Sequence, residues 1–220
     1  MIKKLDCLGR ILDLRTPQVM GILNVTPDSF SDGGQHNNYD AAVKHALQMC
    51  AEGAAIIDIG GESTRPGAKA VSLNEELDRV IPVIERLKQE VDIPISIDTF
   101  KPDVMREAVA AGAGLINDVN ALREEGALEV VASLNVPVCL MHMQGTPRTM
   151  QKDPVYENVT MDVKNFLHDR VVDCERAGIP RDKIILDPGF GFGKTLEHNL
   201  YHTLLRYLKL LCSKQTQLQV

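Results

Sequence analysis

The sequence predicts an α/β fold of the β/α-barrel type, with short parallel strands alternating with helices. Three observations carry this prediction. Six apolar runs recur along the chain: VMGILNV at 19–25, AAIIDIG at 54–60, PISIDT at 94–99, GLINDV at 114–119, PVCLMHM at 137–143 and KIILDPG at 183–189. They are rich in Val, Ile and Leu without strict alternation, the pattern of strands buried on both faces. Polar residues stand at or near the end of each run: Asn24, Asp58, Asp98, Asn117, His142 and Asp187. Barrels of this kind carry their chemistry at the C-terminal ends of the strands.

The elements follow in order. Residues 5–18 hold Gly9 between two short apolar pieces, which predicts a small hairpin ahead of the first run. Ser72 followed by Glu75 is a capping box opening LDRVIPVIERL. Pro102 falls in the first turn of KPDVMREAVAAG, and Gly112 ends it. A helical pattern from about 157 to 177 closes at Gly178 and Pro180, and Leu200, Leu204, Leu208 and Leu211 are spaced as a sixth helix. A barrel has eight strands; the tail SKQTQLQV is too polar for another buried one. The expectation is one domain, residues 1–220, of the TIM-type (β/α)8 class, with about six β/α units and the last two strands missing.

Composition narrows the function classes. The formal charge of −6 argues against nucleic acid or an anionic membrane as partner, but not against an anionic small molecule held by local cations and a metal. The cysteines Cys7, Cys50, Cys139, Cys174 and Cys212 are scattered without CxxC spacing, which predicts reduced thiols. The start MIKKLDCLGRILDL has no apolar stretch of signal-peptide length, and no run is long enough to span a bilayer. A cytoplasmic location is expected.

The loops hold the candidate chemistry. NVTPDSFSDGG (24–34) leaves the first strand and GGESTRPGA (60–68) the second. Asn24, Asp28 and Asp32 offer oxygen ligands suited to Mg²⁺. Thr64 and Arg65 offer a hydroxyl and a planar cation for an anion. Asn, Asp, Gly and Pro also favour turns, so one such loop alone says little; two at matching strand ends say more. Asp98, Asn117 and Asp187 each follow aliphatic residues at a strand end, where a carboxylate is costly without partners. Together they suit a flat heterocycle with adjacent N–H donors; individually each could instead accept backbone N–H groups. Asp58 is read as structural, and His142 as packed or loop-bonded. Met141 packs or walls a flat ligand. Phe190 and Phe192 could flank an aromatic substrate, and Lys194 is expected to be solvated at the start of the sixth helix. DPGFGFGK (187–194) lacks the spacing of a phosphate loop.

With these motifs the chain resembles the bacterial dihydropteroate synthase family, the folate-pathway enzymes inhibited by sulfonamides. MGILNVTPDSFSDGG, IDIGGESTRPGA, ISIDTFKP, INDVNAL, MHMQGTPRTMQ and ILDPGFGFGK match in order and spacing, from about residue 5 to about residue 207. The resemblance implies condensation of 6-hydroxymethyl-7,8-dihydropterin diphosphate with 4-aminobenzoate. It implies Asn24 and Asp32 as ligands of Mg²⁺, and Asp98, Asn117 and Asp187 as the catalytic residues on the pterin edge. It further implies Thr64, Arg65 and Met141 as substrate contacts, with Phe30, Pro66 and Phe190 around the aminobenzoate. The family's late Ser-Arg-Lys and Arg-x-His motifs are not found. Impaired turnover is therefore expected, or a non-catalytic remnant that binds pterin weakly. The family homodimer, built on late helices, is expected to be lost. A pterin-binding methyltransferase shares the Asp/Asn set, but TPDSFSDGG and GESTRPGA speak against it.

Overall fold

The computed structural model describes residues 4–26, 35–63, 68–146, 149–151 and 153–199. The predicted hairpin is present: β1 (Lys4–Cys7) pairs antiparallel with β2 (Arg10–Asp13). Leu8 and Gly9 turn it with φ of 56° and 85°, the positive pair that a tight hairpin needs. Gly9 donates its N–H to Asp6 Oδ1 at 2.6 Å.

The six apolar runs form one parallel sheet. Along the chain come β3 (Met20–Asn24), α1 (Gln35–Ala51), β4 (Ile56–Gly60), α2 (Leu73–Glu90), β5 (Ile95–Asp98) and α3 (Pro102–Ala111). Then follow β6 (Leu115–Asp118), α4 (Ala127–Leu134), β7 (Val138–Met141), α5 (Val159–Arg176) and β8 (Ile184–Asp187). Strand order in the sheet equals chain order, β3 to β8, as single right-handed βα steps produce.

Helix signals are met in part. Ser72 Oγ accepts the Glu75 N–H at 3.3 Å, but the Glu75 carboxylate bonds Arg79 one turn on. The capping box is thus half-formed. Pro102 opens α3, and Gly112 closes it at φ 133°, a conformation L side chains avoid. Asn158 caps α5 by accepting the Met161 N–H. The sixth helix expected from residue 200 lies outside the described residues.

Strand periodicity sorts the core into two layers. Leu23, Ile57, Ile59, Ile95, Ile97, Ile116, Val138, Leu140, Ile184 and Leu186 join the core shared with the helices. Ile56, Leu115, Cys139 and Ile185 point the other way, into the interior, where Leu5, Cys7 and Leu12 of the hairpin close the floor. Burial on both faces holds for β4 and β7 throughout, but not for β3, where Ile22 is 43% exposed. Among the described residues β3 pairs only with β4 and β8 only with β7, so the inner face of β3 opens to solvent.

Gly114 shows how closely the floor is seated. A Cβ there would stand 2.4 Å from the Cys7 carbonyl oxygen, a backbone atom that cannot swing away. Gly114→Ala is expected to destabilise the chain by about 1–3 kcal/mol through overpacking, measured as a lower urea midpoint at unchanged slope. An unchanged midpoint would show the hairpin to be loosely attached.

Candidate active site

Register builds the site. Asn24, Gly60, Asp98 and Asn117 pair in sequence across β3, β4, β5 and β6, one row along the C-terminal mouth. Gly60 contributes no side chain, and a Cβ there would fall 3.5 Å from Asp98 Oδ2 and 3.8 Å from Asn24 Oδ1. The glycine therefore leaves a gap between an amide oxygen and a carboxyl. Asp58 and Ser96, two residues before Gly60 and Asp98 on the same face, form the level beneath and are themselves register partners.

Asp58 is 2% exposed, and its Oδ2 accepts the Asn117 amide N–H at 2.9 Å. A carboxylate only accepts, so this bond sets which way the amide points. Asp58 Oδ1 and Ser96 Oγ are buried without a hydrogen-bond partner. Ser96 lies near enough to ease the Asp58 charge, yet outside hydrogen-bond geometry. Burial raises the Asp58 carboxyl. It raises Asp98 well above the usual range, with Asp58 the foremost repulsive neighbour. The Cys139 thiol on β7 is pushed far up by burial and then by Asp187, Asp58 and Asp98. Asp58 and Asp187 each stand two residues beyond an interior residue, Ile56 and Ile185, so strand alternation sends both to the inner face.

Asp187 ends β8 and pairs with Met141. Burial raises its carboxyl, while the Gly189 N–H and Lys194 hold it down. Met141 is buried with Val119, Met143 and Met150, and Phe192 packs beside them; Phe190 is 44% exposed. His142 is packed as expected, edge-on to Phe166 with ring centroids 4.9 Å apart. Burial and Lys194 push it down to about 3, so it is neutral.

Lys194 corrects the sequence reading. It is 3% exposed, not solvated: its ammonium donates to Gly189 O at 2.9 Å, to Phe192 O at 3.1 Å and to His142 Nδ1 at 3.0 Å. The loop's own carbonyls surround this cation, so GFGFGK does not present it to a phosphate.

Sequence reasoning also missed two braces. Lys101 pairs with both Glu62 and the buried Glu76, tying the loop after β4 and helix α2 to the loop after β5. Asp118 takes the Asn120 and Leu122 N–H groups, each at 2.7 Å, bracing a turn in which Ala121 and Leu122 have φ of 54° and 56°. Burial raises the Asp118 carboxyl to about 6. A polar residue two places from another in an aliphatic strand was the available signal for Ser96 and Asp58. A cavity of about 350 Å³ opens beside Asp98, with Glu62, Phe100, Asn120 and Met143 in its wall. Phe30, Asp32, Thr64, Arg65 and Pro66 lie outside the described residues.

A β/α barrel whose mouth gathers carboxyls and an amide over an apolar floor has the build of an enzyme that grips a flat nitrogen heterocycle. The model of the family "Pterin binding enzyme" matches residues 20–220. The dihydropteroate synthase of Escherichia coli K12 is 58% identical over 196 residues, covering 89% of this chain and 70% of the relative. A Xanthomonas albilineans dihydropteroate synthase solved with 4-aminobenzoic acid is similar at TM-score 0.89 and 56% identity, covering 97% of this chain and 76% of that one. A Yersinia pestis dihydropteroate synthase in complex with a sulfonamide drug gives TM-score 0.89 at 54% identity, over 96% of this chain and 77% of that one. The chain belongs to the dihydropteroate synthase family of pterin binding enzymes.

The raised carboxyls fix the sign of the pH dependence. Asp58, Asp98, Asp118 and Asp187 hold protons in the folded chain that the unfolded chain has released above its ordinary 3.8. Stability is therefore lost as pH rises through their folded values. His142 pulls the other way between about 3 and 6.5, and Lys194 does so from about 7 upward, two groups against four. The ligand-free chain is expected to melt lower at pH 7 than at pH 5. Asp98→Asn should raise the neutral-pH melting temperature by a few degrees, on the order of 1 kcal/mol because Asp98 is partly exposed. A lower melting temperature for the variant would contradict this charge assignment.

Proposed function

We propose that this chain joins 6-hydroxymethyl-7,8-dihydropterin diphosphate to 4-aminobenzoate, giving 7,8-dihydropteroate and diphosphate. The observation that carries the proposal is the row Asn24–Gly60–Asp98–Asn117 with Asp187 converging on the same interior. Asp98 and Asp187 are acceptors for the N–H donors of the pterin edge, and Asn117, its amide turned by Asp58, adds one oriented acceptor. As the methylene C–O bond breaks, positive charge grows on the pterin, and these carboxylates stabilise it in a low-dielectric cavity. The aryl amine forms the new C–N bond and releases its proton afterwards, so it needs no strong base. Thr64, Arg65 and Met141 contact substrate in this proposal, with Phe30, Pro66 and Phe190 around the aminobenzoate, where a sulfonamide would compete.

Asn24 Oδ1, a hard oxygen beside the Gly60 gap, fits Mg²⁺; with Asp32 it would hold the ion against the diphosphate. When bound, Mg²⁺ neutralises the departing diphosphate. Buried reduced thiols at Cys7, Cys139 and Cys174 support a cytoplasmic setting.

A second reading rests on the open edge. With Ile22 43% exposed and β3 and β8 each singly paired among the described residues, water reaches the interior from one side. Water weakens the electrostatics that drive ionisation. We propose that the 220-residue chain alone binds pterin but turns over slowly, by about 10²-fold or more relative to the E. coli family member.

Product chromatography with both substrates and Mg²⁺ tests this. Slow dihydropteroate formation is expected. A rate equal to the relative's would overturn the impairment, and no binding of 6-hydroxymethylpterin would overturn the pterin site. EDTA should abolish turnover yet leave the affinity for 6-hydroxymethylpterin, which carries no diphosphate, unchanged. Loss of that affinity would place the metal at the ring instead.

A further inference from the structure

The loop after β8 is wound onto the end of β7 with no spare room. Gly189, Gly191 and Gly193 all have positive φ, at 67°, 79° and 59°. A Cβ on Gly189 would lie 2.0 Å from the His142 carbonyl oxygen, and one on Gly193 would lie 2.8 Å from that of Gln144. Tyr156 closes the far end, its hydroxyl donating to Gly193 O at 2.6 Å. Inside this winding sits the Lys194 ammonium. An ammonium has three N–H donors, and three acceptors stand at 2.9–3.1 Å: Gly189 O, His142 Nδ1 and Phe192 O. His142 therefore accepts through Nδ1 and carries its proton on Nε2.

The same two residues that bond Lys194 also bond Asp187. Gly189 donates its N–H to Asp187 Oδ1 at 2.7 Å, and His142 donates its N–H to Asp187 O at 2.9 Å. Gly189 is thus gripped from both sides, its carbonyl by Lys194 and its N–H by the Asp187 carboxylate. We propose that Lys194 is a positioning residue for Asp187: through Gly189 it fixes one carboxyl oxygen so that the other faces the ligand. Lys194 itself touches no substrate. The titratable groups that bear on Asp187 are Lys194 from the following loop and Cys139 from β7, whose thiol Asp187 raises. Burial draws the Lys194 ammonium down to about 7, even with Asp187 holding it up.

The inference rests on Asp187 binding the pterin, and the test separates the two. Affinity for 6-hydroxymethylpterin is measured on the full chain between pH 5 and 8.5, with melting temperatures alongside. Lys194→Met should weaken binding about tenfold at pH 7, the loss expected of one charge-assisted contact. It should also move the midpoint of the binding pH profile upward, because Asp187 loses the cation that holds its carboxyl down. Lys194→Arg should restore the midpoint. Lys194→Gln keeps two donors without charge; if the Met variant does not fold, the Gln variant should still show the raised midpoint. A lower melting temperature with unchanged affinity and midpoint in the Met or Gln variant would make Lys194 a packing residue only. Asp187→Asn is the control. If it binds as wild type, or wild type binds nothing, the pterin reading and this inference both fall; if it weakens binding while the Lys194 variants do not, only the inference does.

Discussion

Everything at the mouth depends on a parallel register in which each strand sends every second residue inward. Once β3 to β8 pair in chain order, Asn24, Gly60, Asp98 and Asn117 cannot avoid meeting, although 93 positions separate the first from the last. The two-residue period that places Ile57 and Ile59 against the helices also delivers Asp58 to the interior between them. A slip of one residue would bury Asp58 and Asp98 under the helices and turn the isoleucines into the mouth. The apolar outer layer therefore specifies the site, by leaving the polar residues only one face to occupy.

That face is expensive for the molecule. Asp58 and Asp98 crowd one low-dielectric space, and Asp58 Oδ1 and Ser96 Oγ are left without partners. Burial is the first cause of every upward shift among these carboxyls, with repulsion added at Asp98. Under the proposed function the partner arrives with the ligand: N–H donors in the ground state, positive charge during reaction. Unsatisfied acceptors cost stability in the free chain and become binding energy in the complex. The floor supplied by Leu5, Cys7 and Leu12 offsets part of this cost by burying apolar surface a short distance below.

The barrel was legible in the sequence because long-range order here is a repeat of one local pattern. Run, loop, helix and run again is visible without knowing any contact. Residues at run ends, such as Asp98, Asn117 and Asp187, were legible for the same reason. What escaped is what depends on contacts between units. Lys194 follows a glycine-rich loop, and local pattern gives a lysine there to solvent; only the winding of 189–193 onto 142–144 buries it. Lys101 and Asp118 look like ordinary loop charges until Glu76 from α2, or the N–H groups of Asn120 and Leu122, are seen to surround them.

The braces share a logic that the residues of the mouth do not reveal alone. Lys101 joins the loops after β4 and β5 through Glu62 and Glu76; Asp118 stiffens the loop after β6; Lys194 fastens the loop after β8 to that after β7. Arg170 on α5 reaches the same turn that Asp118 holds, donating to the Ala121 and Leu122 carbonyls at 2.7 and 2.9 Å. Each tether is a charged group whose partners are mostly backbone or, for Lys101, two carboxylates, buried enough to escape screening. Carboxyls that repel one another will move apart if their loops allow it, and the site would relax into a wider, wetter opening. The paired strands hold Asp58 and Asp98 near each other, and fixing the loops from outside the cavity keeps the mouth above them from widening.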